Sequence, residues 1–204
     1  MRQVALQATK SSIALDHRII SSIVCIGCRV LDLGCGDGEL MSLLVRERSC
    51  KVQGIEISEE AIYKCVEKGL NVFHGDIDKG LIEFPDKSFD YVILNQSMQQ
   101  VRNAGYVVDE ALRVGKKVII GFPNFAHIQA RSRLFFKGRV PITKSLPYRW
   151  YDTPNIHFLS INDFKNFCGK KKIKVINTYF LGARRVLWVW PNVLALNAIF
   201  VLSQ

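Results

Sequence analysis

The chain of 204 residues carries 28 Lys and Arg against 18 Asp and Glu, a formal charge of +10, and 49% of it is hydrophobic. That content excludes an intrinsically disordered chain, and the length leaves room for one full domain, residues 1–204, with an elaboration but no second large one. The charge is divided: residues 1–121 hold 15 basic and 16 acidic side chains, whereas residues 122–204 hold 13 and 2.

Met1 to Ser12 carry no pattern. Leu15, Ile19, Ile20, Ile23 and Val24 then recur at helical spacing and predict a leading helix whose stripe packs on a sheet. Gly27 turns the chain into a first strand at Arg29–Leu33. From there to Gly121, short β-rich runs alternate with helical patterns, as in a parallel sheet with crossover helices. The strands read as Lys51–Ile57, Asn71–His74, Phe89–Asn95 and Lys116–Gly121, and the helices as Glu39–Arg48, Ser58–Lys68 and Ala104–Arg113. Ser58 is a cap that Glu59 and Glu60 follow, while Gly69 and Gly115 are expected to close helices in the left-handed conformation.

Residues 122–160 hold four of the six prolines and many aromatics with weak periodicity. They read as a long structured insertion after the fifth strand, the kind of segment that usually carries function in a compact domain. A helix near Ile161–Gly169 and strands near Lys174–Phe180 and Asn197–Leu202 complete the sheet. The apolar run Leu187–Leu202 is shorter than the roughly 18 to 20 residues of a membrane span and is broken by Pro191, so it reads as a buried terminal strand. The expected fold is α/β, doubly wound and mostly parallel.

Six cysteines, at 25, 28, 35, 50, 65 and 168, lack the dense spacing of a small secreted domain, and no signal peptide precedes them; a reducing cytoplasm is the expected setting. Cys25 and Cys28 form a C-x-x-C, a redox pair or half a zinc site, with no second pair to complete the latter.

The most informative stretch is Val30-Leu31-Asp32-Leu33-Gly34-Cys35-Gly36-Asp37-Gly38, an apolar strand running into a glycine loop and then a helix. Glycines let the backbone turn tightly and approach a ligand, and the helix start offers free N–H groups. The spacing G-x-G-x-G, with Glu39 where a third glycine would stand, departs from the dinucleotide fingerprint, and no Gly-Lys-Ser/Thr follows to make a P-loop. Glu56 ends the second strand, where a carboxylate accepts from both ribose hydroxyls, and Asp76 ends the third, where an acid accepts from an exocyclic adenine amine. Singly, Asp32, Glu56 and Asp76 could be an amide acceptor, a helix cap and a turn residue. Together, at the carboxyl ends of consecutive strands, they describe a nucleoside crevice.

These residues resemble the S-adenosylmethionine site of class I methyltransferases. The resemblance covers roughly residues 29–121 and implies a seven-stranded sheet whose last strand is antiparallel. By that pattern Gly34, Cys35, Gly36 and Gly38 would hold the methionine part of S-adenosylmethionine or S-adenosylhomocysteine. Asp32 would orient the loop and the amino group, Glu56 with Ile57 would take the ribose, Asp76 with Ile77 the adenine, and Asn95 would close the fourth strand at the same site. Three further segments, F-P-D-K-S-F-D-Y-V-I-L-N-Q-S-M-Q at 84–99, G-F-P-N-F-A-H at 121–127 and L-P-Y-R-W-Y-D-T-P-N-I-H at 146–157, resemble the MetW family of methionine-biosynthesis proteins along nearly the whole chain. That resemblance implies a role beside homoserine O-acyltransferase as the partner its activity needs.

Methyl transfer asks a protein to align an acceptor with the sulfonium methyl and to supply a base where the acceptor is protonated. The loop Asn95-Gln96-Ser97-Met98-Gln99-Gln100 lacks the Asn-Pro-Pro-Tyr that binds a planar amine. Candidates for a base are therefore His127 and His157 in the insertion, beside Arg131, Arg133, Tyr148, Trp150, Tyr151 and Asp152. The same residues suit a lid or a docking surface better, since interface cores favour Trp, Tyr and Arg. The basic residues match no RNA-binding module. Their excess reads as a surface for an acidic partner protein, where charge steers encounter.

Overall fold

The structure, a computed structural model, describes residues 14–143 and 145–204; Met1 to Ser12 lie outside them. In chain order its elements are α1 (Leu15–Ile23), β1 (Arg29–Leu33), α2 (Glu39–Arg48), β2 (Lys51–Glu56), α3 (Glu59–Glu67), β3 (Asn71–His74), β4 (Phe89–Asn95), α4 (Ala104–Val114), β5 (Gly115–Pro123), α5 (Ile128–Lys137), α6 (Ile161–Lys170), β6 (Lys174–Leu181), β7 (Val186–Leu187), α7 (Pro191–Leu194) and β8 (Asn197–Ser203). Short 3-10 turns at Ile77–Lys79 and Met98–Gln100 follow β3 and β4.

One sheet runs in the order β3-β2-β1-β4-β5-β8-β6-β7. β1 to β5 pair in parallel, and β8 lies antiparallel between β5 and β6. The seven expected strands are all present. The eighth, β7, is a two-residue strand that turns back on the end of β6 through Phe180 and Leu181.

Alternation along the buried strands sorts side chains to two faces. Val30, Tyr91, Ile93, Ile119 and Val201 meet Ile20 of α1, Val24 just past its end, and Leu40, Met41 and Leu44 of α2. Leu31, Val92, Leu94, Ile120, Phe122 and Phe200 meet Val107, Val108 and Ala111 of α4 and Ile161 and Phe164 of α6. Both faces are covered by helices, which is the doubly wound arrangement.

Helix ends follow the local chemistry. Ser58 Oγ accepts from Ala61 N, and Gly69 sits at φ +70° as its place after a helix requires. Gly115 differs from expectation: at φ −97° it opens β5 directly. Its lack of a side chain is a packing need, since a Cβ there would stand 2.7 Å from Val92 Cγ2. Cys25 and Cys28 are joined as a disulfide where reduced thiols were expected, and the other four cysteines are free and buried.

Phe200 packs against Phe122, Phe164 and Phe180, with ring centroids 4.8 to 6.4 Å apart, where β8 meets α6. Phe200→Ala should lower unfolding free energy by about 3–5 kcal/mol at unchanged denaturant slope, read from urea titrations.

Candidate functional site

The strand order reverses between β1 and β4: from β1 the sheet grows one way through β2 and β3, and from β4 the other way through β5. At the carboxyl ends of this pair lies a cavity of about 570 Å³. Ligands of open α/β sheets bind at such a point.

Its floor is the glycine loop. Gly34, Gly36 and Gly38 have φ of +72°, +55° and +78°, and a Cβ on Gly34 would stand 2.7 Å from Ser97 Cβ, so a side chain there would push the loop after β4 away. The N–H groups of Gly34 and Cys35 both donate to the Ile55 carbonyl, at 2.8 and 3.2 Å, and Gly36 N donates to Glu56 Oε2 at 2.8 Å. Glu56 Oε1 accepts from the amides of Ile57 and Ser58. A carboxylate has about four acceptor positions. Three are used by described residues, so Glu56 fastens the loop to β2 and has about one acceptor position left.

Asp76 caps the turn after β3 by accepting from Asp78 N, and Asp78 accepts from the amides of Arg102 and Asn103, which ties the β3 end to the loop after β4. On that loop Gln96 sits at φ +61°, a conformation a non-glycine residue adopts only under constraint. Asn95 Nδ2 donates to Asp16 Oδ2 of α1 at 2.9 Å, which brings the first helix over the end of β4. Asn95 Oδ1 and Ser97 Oγ are buried with no hydrogen-bond partner among the described residues.

Asp32, Gly34, Cys35, Gly36, Glu56, Ile57, Asp76, Ile77 and Asn95 thus line one cavity, while Gly38 stands behind it at the start of α2. Among the described residues its wall carries seven carboxyl groups, from Asp16, Asp32, Asp37, Glu39, Glu56, Asp76 and Asp78, and no Lys or Arg. Such a wall suits a cationic ligand. Asp32 is 3% exposed and accepts no hydrogen bond from the described residues. Burial first, and the Glu56 charge second, push its carboxyl up to about 7.

His127 and His157, the candidate bases, do not line this cavity. His127 is buried at the start of α5, where Nδ1 accepts from Gln129 N, and burial holds its imidazole below the ordinary value. His157 borders a separate apolar cavity of about 410 Å³ with Met98, Val108 and Phe164. Instead α1 contributes Asp16 and His17 to the nucleoside cavity, and Ser97 and Gln100 join them. The sequence signal for α1 was its apolar stripe, which identifies the buried face and says nothing of where the polar face lands.

The sheet order, the glycine loop and the crevice between β1 and β4 define a class I S-adenosylmethionine-dependent methyltransferase fold. A protein of that description from Archaeoglobus fulgidus superposes with a TM-score of 0.65 at 14% identity, over 92% of this chain and 94% of that one. The [4+2]-cyclase SpnF superposes with a TM-score of 0.67 at 14% identity, over 92% and 80%. The particular family is also fixed: residues 14–202 match "Methionine biosynthesis protein MetW", and the chain belongs to the MetW family. The bifunctional methionine biosynthesis protein MetXA/MetW of Rhodopirellula baltica is 35% identical over 185 residues, 85% of this chain and 30% of that relative. The chain therefore spans under a third of that relative's length.

The raised Asp32 carboxyl has a consequence for stability. The native state keeps this proton after an unfolded Asp, with its ordinary value of 3.8, has lost it, so stability falls as pH rises from about 4 to about 7. The loss should reach up to about 4 kcal/mol and be missing in Asp32→Asn, which denaturant titrations across that range would read.

Proposed function

We propose that this protein binds S-adenosylmethionine, or its demethylated product, in the cavity between β1 and β4, and acts in methionine biosynthesis as the activating partner of a MetX-type homoserine O-acyltransferase. The observation that carries the partnership is the relative named MetXA/MetW, in which a region like this chain shares one polypeptide with a second activity. Fusion in one organism is what two chains that work in contact allow in another.

The cavity's chemistry supports the cofactor. Asn95 Oδ1 and Ser97 Oγ are buried polar atoms without partners among the described residues, Asp32 is buried beside them on the same wall, and such groups suit a polar ligand. The glycine loop and Asp32 would hold the amino-acid end, Glu56 the ribose hydroxyls, and Asp76 with Ile77 the adenine. S-adenosylmethionine, when bound, supplies an electrophilic methyl on a cationic sulfonium. The seven carboxylates of the wall would favour both that charge and the ammonium. Isothermal calorimetry should detect S-adenosylmethionine binding that Glu56→Gln weakens about 10- to 100-fold, the worth of hydrogen bonds to a charged group. Unchanged affinity would remove the site assignment. Addition of the wild-type chain should raise acyltransferase turnover and the two should co-elute; the absence of both effects would sink the partnership.

A second reading, methyl transfer to a small molecule or protein, is favoured by His17 and Asp16, an imidazole and a carboxylate that α1 brings to the same cavity. On this reading labelled cofactor marks a discrete acceptor in cell extract, and His17→Gln slows transfer about 10²- to 10⁴-fold without weakening cofactor binding. Cofactor that binds and is never consumed excludes it.

A further inference from the structure

The end of the sheet where α5 and α7 stand carries more bare aromatic surface than a monomer explains. Phe135, Phe136, Trp150, Trp188 and Trp190 are 83, 79, 74, 80 and 74% exposed. At about 150–250 Å² for each aromatic side chain, the five together offer roughly 800 Å², what a standard interface takes from one partner. α5 itself is nearly unpartnered. Of its ten residues only Ala130 is buried, so the helix presents most of its surface outward. Its last turn holds Phe135 edge-on to Phe136, with centroids 5.0 Å apart. Beyond it a groove of about 590 Å³ runs between Arg139, Val140, Arg149 and Trp150. The tryptophans of residues 188–190 belong to the same end of the molecule, because Asn124, at the root of α5, donates to the carbonyls of Asn192 and Ala195.

The charge around these aromatics has no internal answer. Arg131, Arg133, Lys137, Arg139, Arg149, Arg184 and Arg185 form no ion pair among the described residues. The acid nearest in sequence, Asp152, spends Oδ1 on the amide of Arg149. Arg149 leans on Tyr151 and finds no carboxylate. We propose that this surface, formed by α5, residues 138–143, residues 145–151 and residues 188–190, docks an acidic face of a partner protein whose apolar centre packs on the aromatics.

Charge complementarity selects that occupant. A second copy would set one basic surface against another. RNA would be drawn by the arginines, but the exposed Val140, Ile142, Val189 and Leu194 beside the aromatics do not stack on bases, whereas they pack well at the centre of a protein interface. The proposal rests on the function proposed above, with the acyltransferase as the partner. It adds where the partner sits and what that partner's surface must be made of.

Two full-length variants test it, Arg139→Glu with Arg149→Glu, and Phe135→Ser with Phe136→Ser. All four side chains are exposed, so the thermal midpoint should stay at the wild-type value. Binding to the homoserine O-acyltransferase of the same organism, measured by calorimetry at low and moderate salt, should weaken at least 30-fold in each. The charge variant should also lose most of its salt dependence. Wild-type affinity in both variants would overturn the docking surface and leave the partnership standing. An unsubstituted chain that fails to bind the acyltransferase overturns the partnership, and this surface assignment with it. A 20-nucleotide single-stranded RNA that binds the wild type, falls off steeply with salt and is lost in the same variants would reassign the surface to nucleic acid and overturn the proposal.

Discussion

β1 and β4 are neighbours in the sheet, yet the crossovers that follow them depart to opposite faces, α2 over one core and α4 over the other. A crevice opens at their carboxyl ends as a consequence of that winding. The rest of the site is arranged to keep the crevice narrow and polar. Gly34 lets the loop after β1 and the loop after β4 meet at Ser97, and Glu56 locks the glycine loop to β2 by accepting from Gly36. The β3 turn is locked to the β4 loop through Asp78, and α1 to β4 through Asp16 and Asn95.

The same geometry explains a carboxyl that would otherwise be a defect. Asp32 lies in a strand whose neighbours Leu31 and Leu33 are fully buried, and a charge there is expensive unless something pairs with it. The fold tolerates it by holding the proton to about pH 7, a destabilising arrangement in the empty protein. Sites that bind cations commonly carry such a tension, because the ligand relieves it. The acidic cavity and the basic outer surface are thus two separate electrostatic features. A net charge of +10 by itself said little about function because it sums a balanced stretch, 15 basic and 16 acidic side chains in residues 1–121, with a basic one, 13 and 2 in residues 122–204.

Most of the sheet was legible because buried parallel strands are short apolar runs and their helices carry an apolar stripe with caps. β1, β3 and β4 fall where the pattern put them, and the helix that Ser58 opens is capped as read. The positions of Glu56 and Asp76 were legible for a related reason: strand ends are local information, and both residues stand on the cavity wall where β2 and β3 end. α5, β7 and α7 were not legible. α5 buries one residue and so lacks a stripe, β7 is two residues long, and α7 has four. His127 and His157 show what residue type alone leaves out. One became a helix cap and the other a wall of an apolar cavity, because which way a side chain points from an irregular segment depends on packing that the sequence does not encode locally. Asp16 and His17 were missed for the converse reason, since only the fold brings the polar face of α1 to β4.

Fold and site constrain the chemistry unequally. A cyclase shares this fold as closely as a methyltransferase does, so the sheet and its crevice do not by themselves specify a reaction. What separates this chain from a generic member is outside the crevice. Ile156 and His157 donate through their amides to the carbonyl of Gln99, which fastens the segment between β5 and α6 to the loop that carries Ser97 and Gln100. The segment bearing Trp150 is therefore hydrogen-bonded to the loop after β4, whose Ser97 and Gln100 line the cavity between β1 and β4, so the two surfaces are joined by a short structural path.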